Sequence, residues 1–219
     1  MKRQMIPQND SQSLSRMDGI LILCGIVAPI IWFLAILITG ILRPEYSHIS
    51  RVISVLGSRD TPFSKAYNYV GLMPAGILTF SLAMFRRLKS KQVFYISSGS
   101  VFIMGIAHFL AGIFPCDPGC YPVITLSGRL HMLTGMMAMF AGIIAPLVMT
   151  IGLRNRKSRD LFYLSMILGV ASLIIFILII SQLFIPFIGA YIGALQRSLL
   201  ILTYSWIIAV AFNLKKYEI

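Results

Sequence analysis

Six long apolar runs separated by short polar stretches organise the chain: Gly19 to Leu42, Ala66 to Phe85, Val93 to Phe114, His131 to Leu153, Leu161 to Ile185 and Gln196 to Leu214. Each is close to the roughly 20 residues that a helix needs to cross a hydrocarbon core about 30 Å thick. Lipid offers the backbone no hydrogen-bond partner, and the runs are about twice the length of a barrel strand, so each predicts a helix. Little chain is left for a soluble domain. The expected fold is all-α: a polytopic integral membrane protein whose six-transmembrane-helix bundle occupies 19–214, with tails at 1–18 and 215–219.

A different periodicity marks the first connection, "PEYSHISRVISVLGSRD". Ile49, Val52, Ile53 and Leu56 recur at i, i+3, i+4 and i+7, with Ser47, Ser50, Arg51 and Ser54 opposite. That spacing predicts a short amphipathic helix of about three turns, opened by Pro44 and closed by Gly57.

Composition supports the membrane assignment. The chain of 219 residues is 58% hydrophobic and only 12% charged. Its formal charge of +12 would suggest nucleic acid in a soluble protein, but here the placement of charge between spans matters more. Thirteen of the nineteen cations fall in the tails or the second and fourth loops: Lys2, Arg3, Arg16, Arg86, Arg87, Lys89, Lys91, Arg154, Arg156, Lys157, Arg159, Lys215 and Lys216. The positive-inside rule then puts both termini in the cytoplasm of a cell with this protein in its inner membrane. Residues 1–18 carry no apolar region, so the first run is expected to be a retained anchor and not a cleaved signal, and the sequon Asn9-Asp10-Ser11 falls on the cytoplasmic side. Membrane lipids are the expected partners, and nucleic acid is not.

On this topology the remaining polar side chains gather toward the outer ends of the spans. They include His48, His108, His131, Asn68, Gln182, Gln196, Arg197, Asp117 and Arg129. Such groups cost a few kcal/mol each on insertion scales, so they are expected to face one another, water or a ligand. That predicts a polar pocket opening outward. Each residue also has an ordinary structural use. A lone His108 can hydrogen-bond a neighbouring helix, Asp117 before Pro-Gly can cap a turn, Arg129 and Arg197 can snorkel, and Ser127 can N-cap the fourth span. Met132, Met136, Met137 and Met139 suit adaptable packing, and Gly71, Gly76, Gly105, Gly135 and Gly142 suit close helix approach. Cys24 reads as packing within the first span.

The connection "GIFPCDPGCYPVITLSGRLH" carries most of the chemistry. Cys116 and Cys120 lie in a loop expected to face an oxidising compartment, with a turn-forming Pro-Gly between them, which favours a disulfide. A zinc site built from these thiolates with His108 or His131 is the alternative.

The segments "YSHISRVISVLG", "GIFPCDPG", "LHMLTGMMAMF" and "LQRSLL" together resemble the family catalogued as domain of unknown function 998, over about Ile20 to Trp206. The Phe-Pro-x-Asp turn and the Ser-x-x-Ile-Ser-x-Leu-Gly segment are its more specific marks. The resemblance implies a six-helix prokaryotic integral membrane protein and no established reaction. The chain departs from the family pattern at Val55, where an acidic residue is common.

Four functional readings follow. In the first, Arg51, Arg129 and Arg197, with Ser47, Ser50, Ser54, Asn68 and Gln196, bind a lipid headgroup, because guanidinium groups offer planar forks of donors to phosphate. If chemistry follows, His131 or His108 acts as base or nucleophile with Asp117 as orienter. In the second, His48, His108, His131 and Asp117 hold a metal for hydrolysis. A third has no catalysis, as in a small transporter kinked at Pro74 and Pro146 or a structural or sensory protein. The fourth is a haem held by His108 and His131. The sequence does not name the cofactor, if any.

Overall fold

The computed structural model describes residues 16–84, 92–154 and 158–216. Of the cations used for topology, Lys2, Arg3, Arg86, Arg87, Lys89, Lys91, Arg156 and Lys157 lie outside these residues, as does the Asn9-Asp10-Ser11 sequon. The described chain is helical, with no strand. Five helices are long and apolar enough to cross a membrane: α1 (Arg16–Ile41), α3 (Gln92–Ile113), α4 (Leu126–Leu153), α5 (Arg159–Ser181) and α7 (Ile192–Lys216). Between α1 and α3 stands a composite element, a π-helical segment Ala66–Leu72 continuing into α2 (Met73–Leu82). A four-residue helix α6 (Pro186–Gly189) precedes α7.

The second apolar run is thus helical but not uniform. Pro74 sits at the start of α2, where its missing N–H and its ring would disturb an α-turn behind it. The wider π-turns of 66–72 accommodate that disturbance. α3 packs most extensively on α4, then on α2. The α2–α3 approach is close because two glycines face each other: a Cβ on Gly76 would lie 2.7 Å from the Gly105 carbonyl oxygen, and a Cβ on Gly105 would lie 2.7 Å from that of Gly76. Buried side-chain hydrogen bonds tie other helices together. The Trp206 indole donates to Ser165 on α5 at 2.9 Å, Ser97 on α3 donates to the Ala145 carbonyl of α4 at 2.8 Å, and Trp32 on α1 donates to the Tyr67 hydroxyl at 3.0 Å. Within a membrane each such bond contributes on the order of 1 kcal/mol.

The expected three-turn amphipathic helix does not form. Residues 44–52 make turns, and only Ile53–Gly57 is helical, as a 3-10 segment. The reason is competition for backbone groups. Ser47 accepts the N–H groups of Ile49 and Ser50, ending a turn locally. The Ile49 carbonyl accepts Ala194 N–H at 2.9 Å, the Arg51 carbonyl accepts Arg197 at 3.3 Å, and the Ile53 N–H donates to Gln196 at 2.9 Å. Groups that an α-helix would pair internally are paired with the start of α7 instead. The apolar periodicity survives only in part: Ile53 and Leu56 are buried, while Ile49 is exposed. The 42–65 connection consequently lies across one end of the bundle.

Candidate functional site

Beneath that connection lies a cavity of about 90 Å³, enclosed by α1, the 53–57 segment, the π-helical segment, α3, α4 and α7. His108 and His131 enter it from adjacent helices. His108 is five residues before the end of α3, and His131 is five residues after the start of α4. At 1.5 Å per residue both lie about 7 to 8 Å below the same end of the bundle. Ser54 and Gln196 line the cavity near this level, whereas Met104, Leu200, Thr203, Tyr204 and Met139 line it farther down. The cavity therefore has a polar end and an apolar end.

The two imidazoles are held differently. His131 Nδ1 lies 2.8 Å from the Phe114 carbonyl oxygen and 3.0 Å from that of Ala111. Both partners are acceptors, so Nδ1 carries the proton and Nε2 of the neutral ring presents a lone pair. His108 Nδ1 is sealed off with no hydrogen-bond partner among the described residues, while its ring meets Trp32 edge-on at 4.4 Å. Neither Nε2 has a hydrogen-bond partner among the described residues, and both rings line the cavity. The Gln196 carbonyl is used by Ile53, which leaves its NH₂ group for the cavity. Among the described residues the lining holds no carboxylate, lysine or arginine.

The other expected site residues are placed elsewhere. Asp117 is buried at the start of the 118–120 turn, where its carboxylate accepts the Thr125 hydroxyl at 2.6 Å and the backbone N–H groups of Ile124 and Thr125 at 2.8 and 3.0 Å. Those hydrogen bonds, the Thr125 hydroxyl first, hold its pKa below the ordinary carboxylate range. It shapes the entry to α4 and orients neither histidine. Thr125, not Ser127, is the N-cap of α4, accepting Gly128 N–H at 3.1 Å, because Ser127 donates instead to the Pro115 carbonyl at 2.8 Å. Cys116 and Cys120 form a disulfide with a Cα–Cα distance of 5.0 Å.

The three arginines do not converge. Arg129 and Arg51 are exposed. Arg197 is a clamp, donating to the Gly193 carbonyl at 2.9 Å, the Arg51 carbonyl at 3.3 Å and the Tyr46 hydroxyl at 2.5 Å. Ser47 caps its turn and Ser50 is exposed, so neither reaches the cavity. Buried Asn68 donates to the Gly57 carbonyl at 2.9 Å, binding the 53–57 segment to the π-helical one. His48 packs edge-on against Tyr46 at 5.2 Å, outside the cavity, and partial burial followed by the Arg197 charge keeps its pKa below the usual histidine value.

These placements weigh against two of the sequence readings. His48, His108, His131 and Asp117 do not meet, and no group of three or more His, Cys, Asp or Glu side chains that could hold a metal ion occurs among the described residues. The cavity between His108 and His131 is also too small for a porphyrin. Sequence reasoning missed Trp32, Tyr67 and Tyr204, the aromatic lining. An indole and two phenols within otherwise aliphatic runs were the available signal, because a buried polar tip in a membrane span needs a partner. It also read Gly135 as a close-packing glycine. Gly135 lines the cavity, and a Cβ there would meet nothing within 4 Å.

A family model described as "Protein of unknown function (DUF998)" matches residues 26–213. Neither a curated protein nor a solved structure matches the chain.

Proposed function

The chain thus belongs to the DUF998 family of membrane proteins of unknown function, and for this member we propose an amphiphile-binding role centred on the His108–His131 cavity. The protein is a six-span bundle in the inner membrane, with the composite 66–82 element as the second span and both termini cytoplasmic. The polar end of the cavity then faces outward. A bound molecule places its polar group between the two Nε2 atoms and the Gln196 amide, and its apolar part against Met104, Leu199 and Leu200. The carrying observation is the pair of imidazoles whose Nε2 atoms have no hydrogen-bond partner among the described residues, in a lining that is mostly aromatic and aliphatic. Polar groups at membrane depth without partners are costly, and a hydrogen-bonding ligand removes that cost.

The neutral lining favours an uncharged hydrogen-bonding group, such as a hydroxyl or amide, over the phosphate expected from the arginines. Arg51 and Arg129, exposed at the same end, are left to contact headgroups of the surrounding bilayer. The proposal is one of binding, with His131 Nδ1–H held by the Phe114 and Ala111 carbonyls and its Nε2 left to accept from the ligand. The test is native mass spectrometry of the protein released gently from membranes, beside His108→Phe. Phe removes a buried nitrogen that has no partner, so the variant should fold with thermal stability equal to or above the parent, while losing most of the retained amphiphile. Undiminished retention would overturn the reading.

A further inference from the structure

A second compartment lies on the outside of the bundle. Between α1 and α7 runs a groove of about 330 Å³, lined by Ile30, Leu34 and Leu37 on one side and by Ile201, Tyr204 and Ser205 on the other, among others. Ile30, Leu34, Leu37 and Ile201 are each about half exposed, at 50% or 51%. Both helices are among those able to cross a membrane, so in a bilayer these exposed apolar side chains meet hydrocarbon. Tyr204 differs from its neighbours. It is only 1% exposed, yet it borders both this groove and the inner cavity.

The partition between the compartments is thin. Trp32 borders the cavity from α1 and meets Tyr204 edge-on at 5.7 Å, and His108 lies behind both, 4.4 Å from Trp32 and 6.4 Å from Tyr204 between ring centroids. The Tyr204 hydroxyl is anchored by Thr79, 3.1 Å away, which in turn donates to the Ala75 carbonyl at 2.8 Å. Thr79 has spent its proton on that carbonyl, so Tyr204 is the donor of the pair. One anchored aromatic ring and its edge contact separate a lipid-facing groove from a chamber lined by two imidazoles whose Nε2 atoms have no partner among the described residues.

We propose that the α1–α7 groove is an acyl-chain site continuous with the cavity across Tyr204 and Trp32, so that one amphiphile lays its chain outside the bundle and its polar end within. The proposal rests on the cavity-binding reading above and adds the class of ligand, a bilayer lipid carrying an acyl chain, and its direction of entry from the side. The shared border at Tyr204 favours a chain whose polar end reaches the cavity, which a partner helix packed on the outside would not supply. An acyl chain also matches the walls chemically, which are apolar side chains, aliphatic apart from the Phe33 and Tyr204 rings, with the exposed Ser205 beside them.

The test uses the full chain in nanodiscs of phosphatidylethanolamine and phosphatidylglycerol, with a trace of phosphatidylethanolamine bearing a diazirine on one acyl chain. After irradiation, crosslinked peptides are quantified. Labelling within 29–37 and 201–208 should exceed, about fivefold or more, that of the exposed α5 side chains Leu173, Ile174 and Ile177, which lie outside this groove. Ser205→Phe, which fills the groove from an exposed position, should bring the groove down to the α5 level. Equal labelling of the two surfaces, or groove labelling unchanged in Ser205→Phe, would overturn the proposal. Gly135→Leu, which occupies the inner cavity, should lower groove labelling together with ligand retention, because one molecule spans both; groove labelling kept at the parent level while retention falls would overturn the continuity, and unchanged ligand retention in that variant would register a failure of the cavity reading instead.

Discussion

Gln196 and Ile53 stand 143 residues apart in sequence, yet the side-chain carbonyl of Gln196 accepts the backbone N–H of Ile53 at 2.9 Å. That bond fastens the 53–57 segment, which roofs part of the cavity, to the first turns of α7. Gln196→Leu leaves the Ile53 N–H without its acceptor in a mostly buried setting. The expected cost is about 1 to 3 kcal/mol. Thermal unfolding in detergent should show a Tm lowered by several degrees, and an unchanged Tm would mean that the roof is held by other contacts.

Asp117 gives the loop end a defined acid sensitivity. Its folded-state pKa is lowered, chiefly by the Thr125 hydroxyl and then by the backbone N–H groups of Thr125 and Ile124. A lowered carboxylate contributes stability that is fully present above its unfolded value, about 4, and is lost as pH falls through the folded value. Melting curves from pH 7 down to pH 3 should therefore show the parent losing Tm below about pH 4, while Asp117→Asn is less stable at pH 7 and flatter with pH. Parallel pH profiles for the two proteins would contradict this role.

The orientation of the bundle is testable at the two ends of α4. Arg129 and Arg154 are both exposed and lie near opposite ends of that helix. With Cys24 replaced by alanine, Arg129→Cys should react with a membrane-impermeant maleimide in intact cells, and Arg154→Cys should react only after the membrane is opened. The reverse pattern would invert the topology read from the cations.

Much of the helical framework was legible because lipid imposes one rule on every span: apolar side chains outside, backbone paired within. α1, α3 and α5 begin within three residues of the expected positions. α4 begins five residues early, at Leu126, because Thr125 and Asp117 build its cap from side chains that a hydropathy pattern does not weigh. The 44–52 stretch was misjudged for a related reason: its apolar period is genuine, but Gly193, Ala194, Gln196 and Arg197 bring α7 against its backbone, and no local pattern reports a partner that distant.

Two of the cavity's lining residues, His108 and His131, stood out in the sequence, and its aromatic walls did not. His108 and His131 stood out because an imidazole within a span demands an explanation. Arg51, Arg129 and Asp117 stood out equally, yet the two arginines are exposed and turn amides satisfy Asp117, so charge alone did not mark the cavity. Trp32, Tyr67 and Tyr204 carry no charge and drew no attention, although they separate and line the two compartments.

Gly135 allows the most direct test of amphiphile binding in the cavity. A side chain added there enters open space, and replacing glycine within a helix favours folding by up to about 1 kcal/mol, so Gly135→Leu should fold at least as well as the parent. Native mass spectrometry of the two proteins, released from the same membranes, compares their bound amphiphile at matched stability. The account predicts that Gly135→Leu retains its Tm and loses at least about nine-tenths of the ligand; equal ligand occupancy in the two proteins would contradict it.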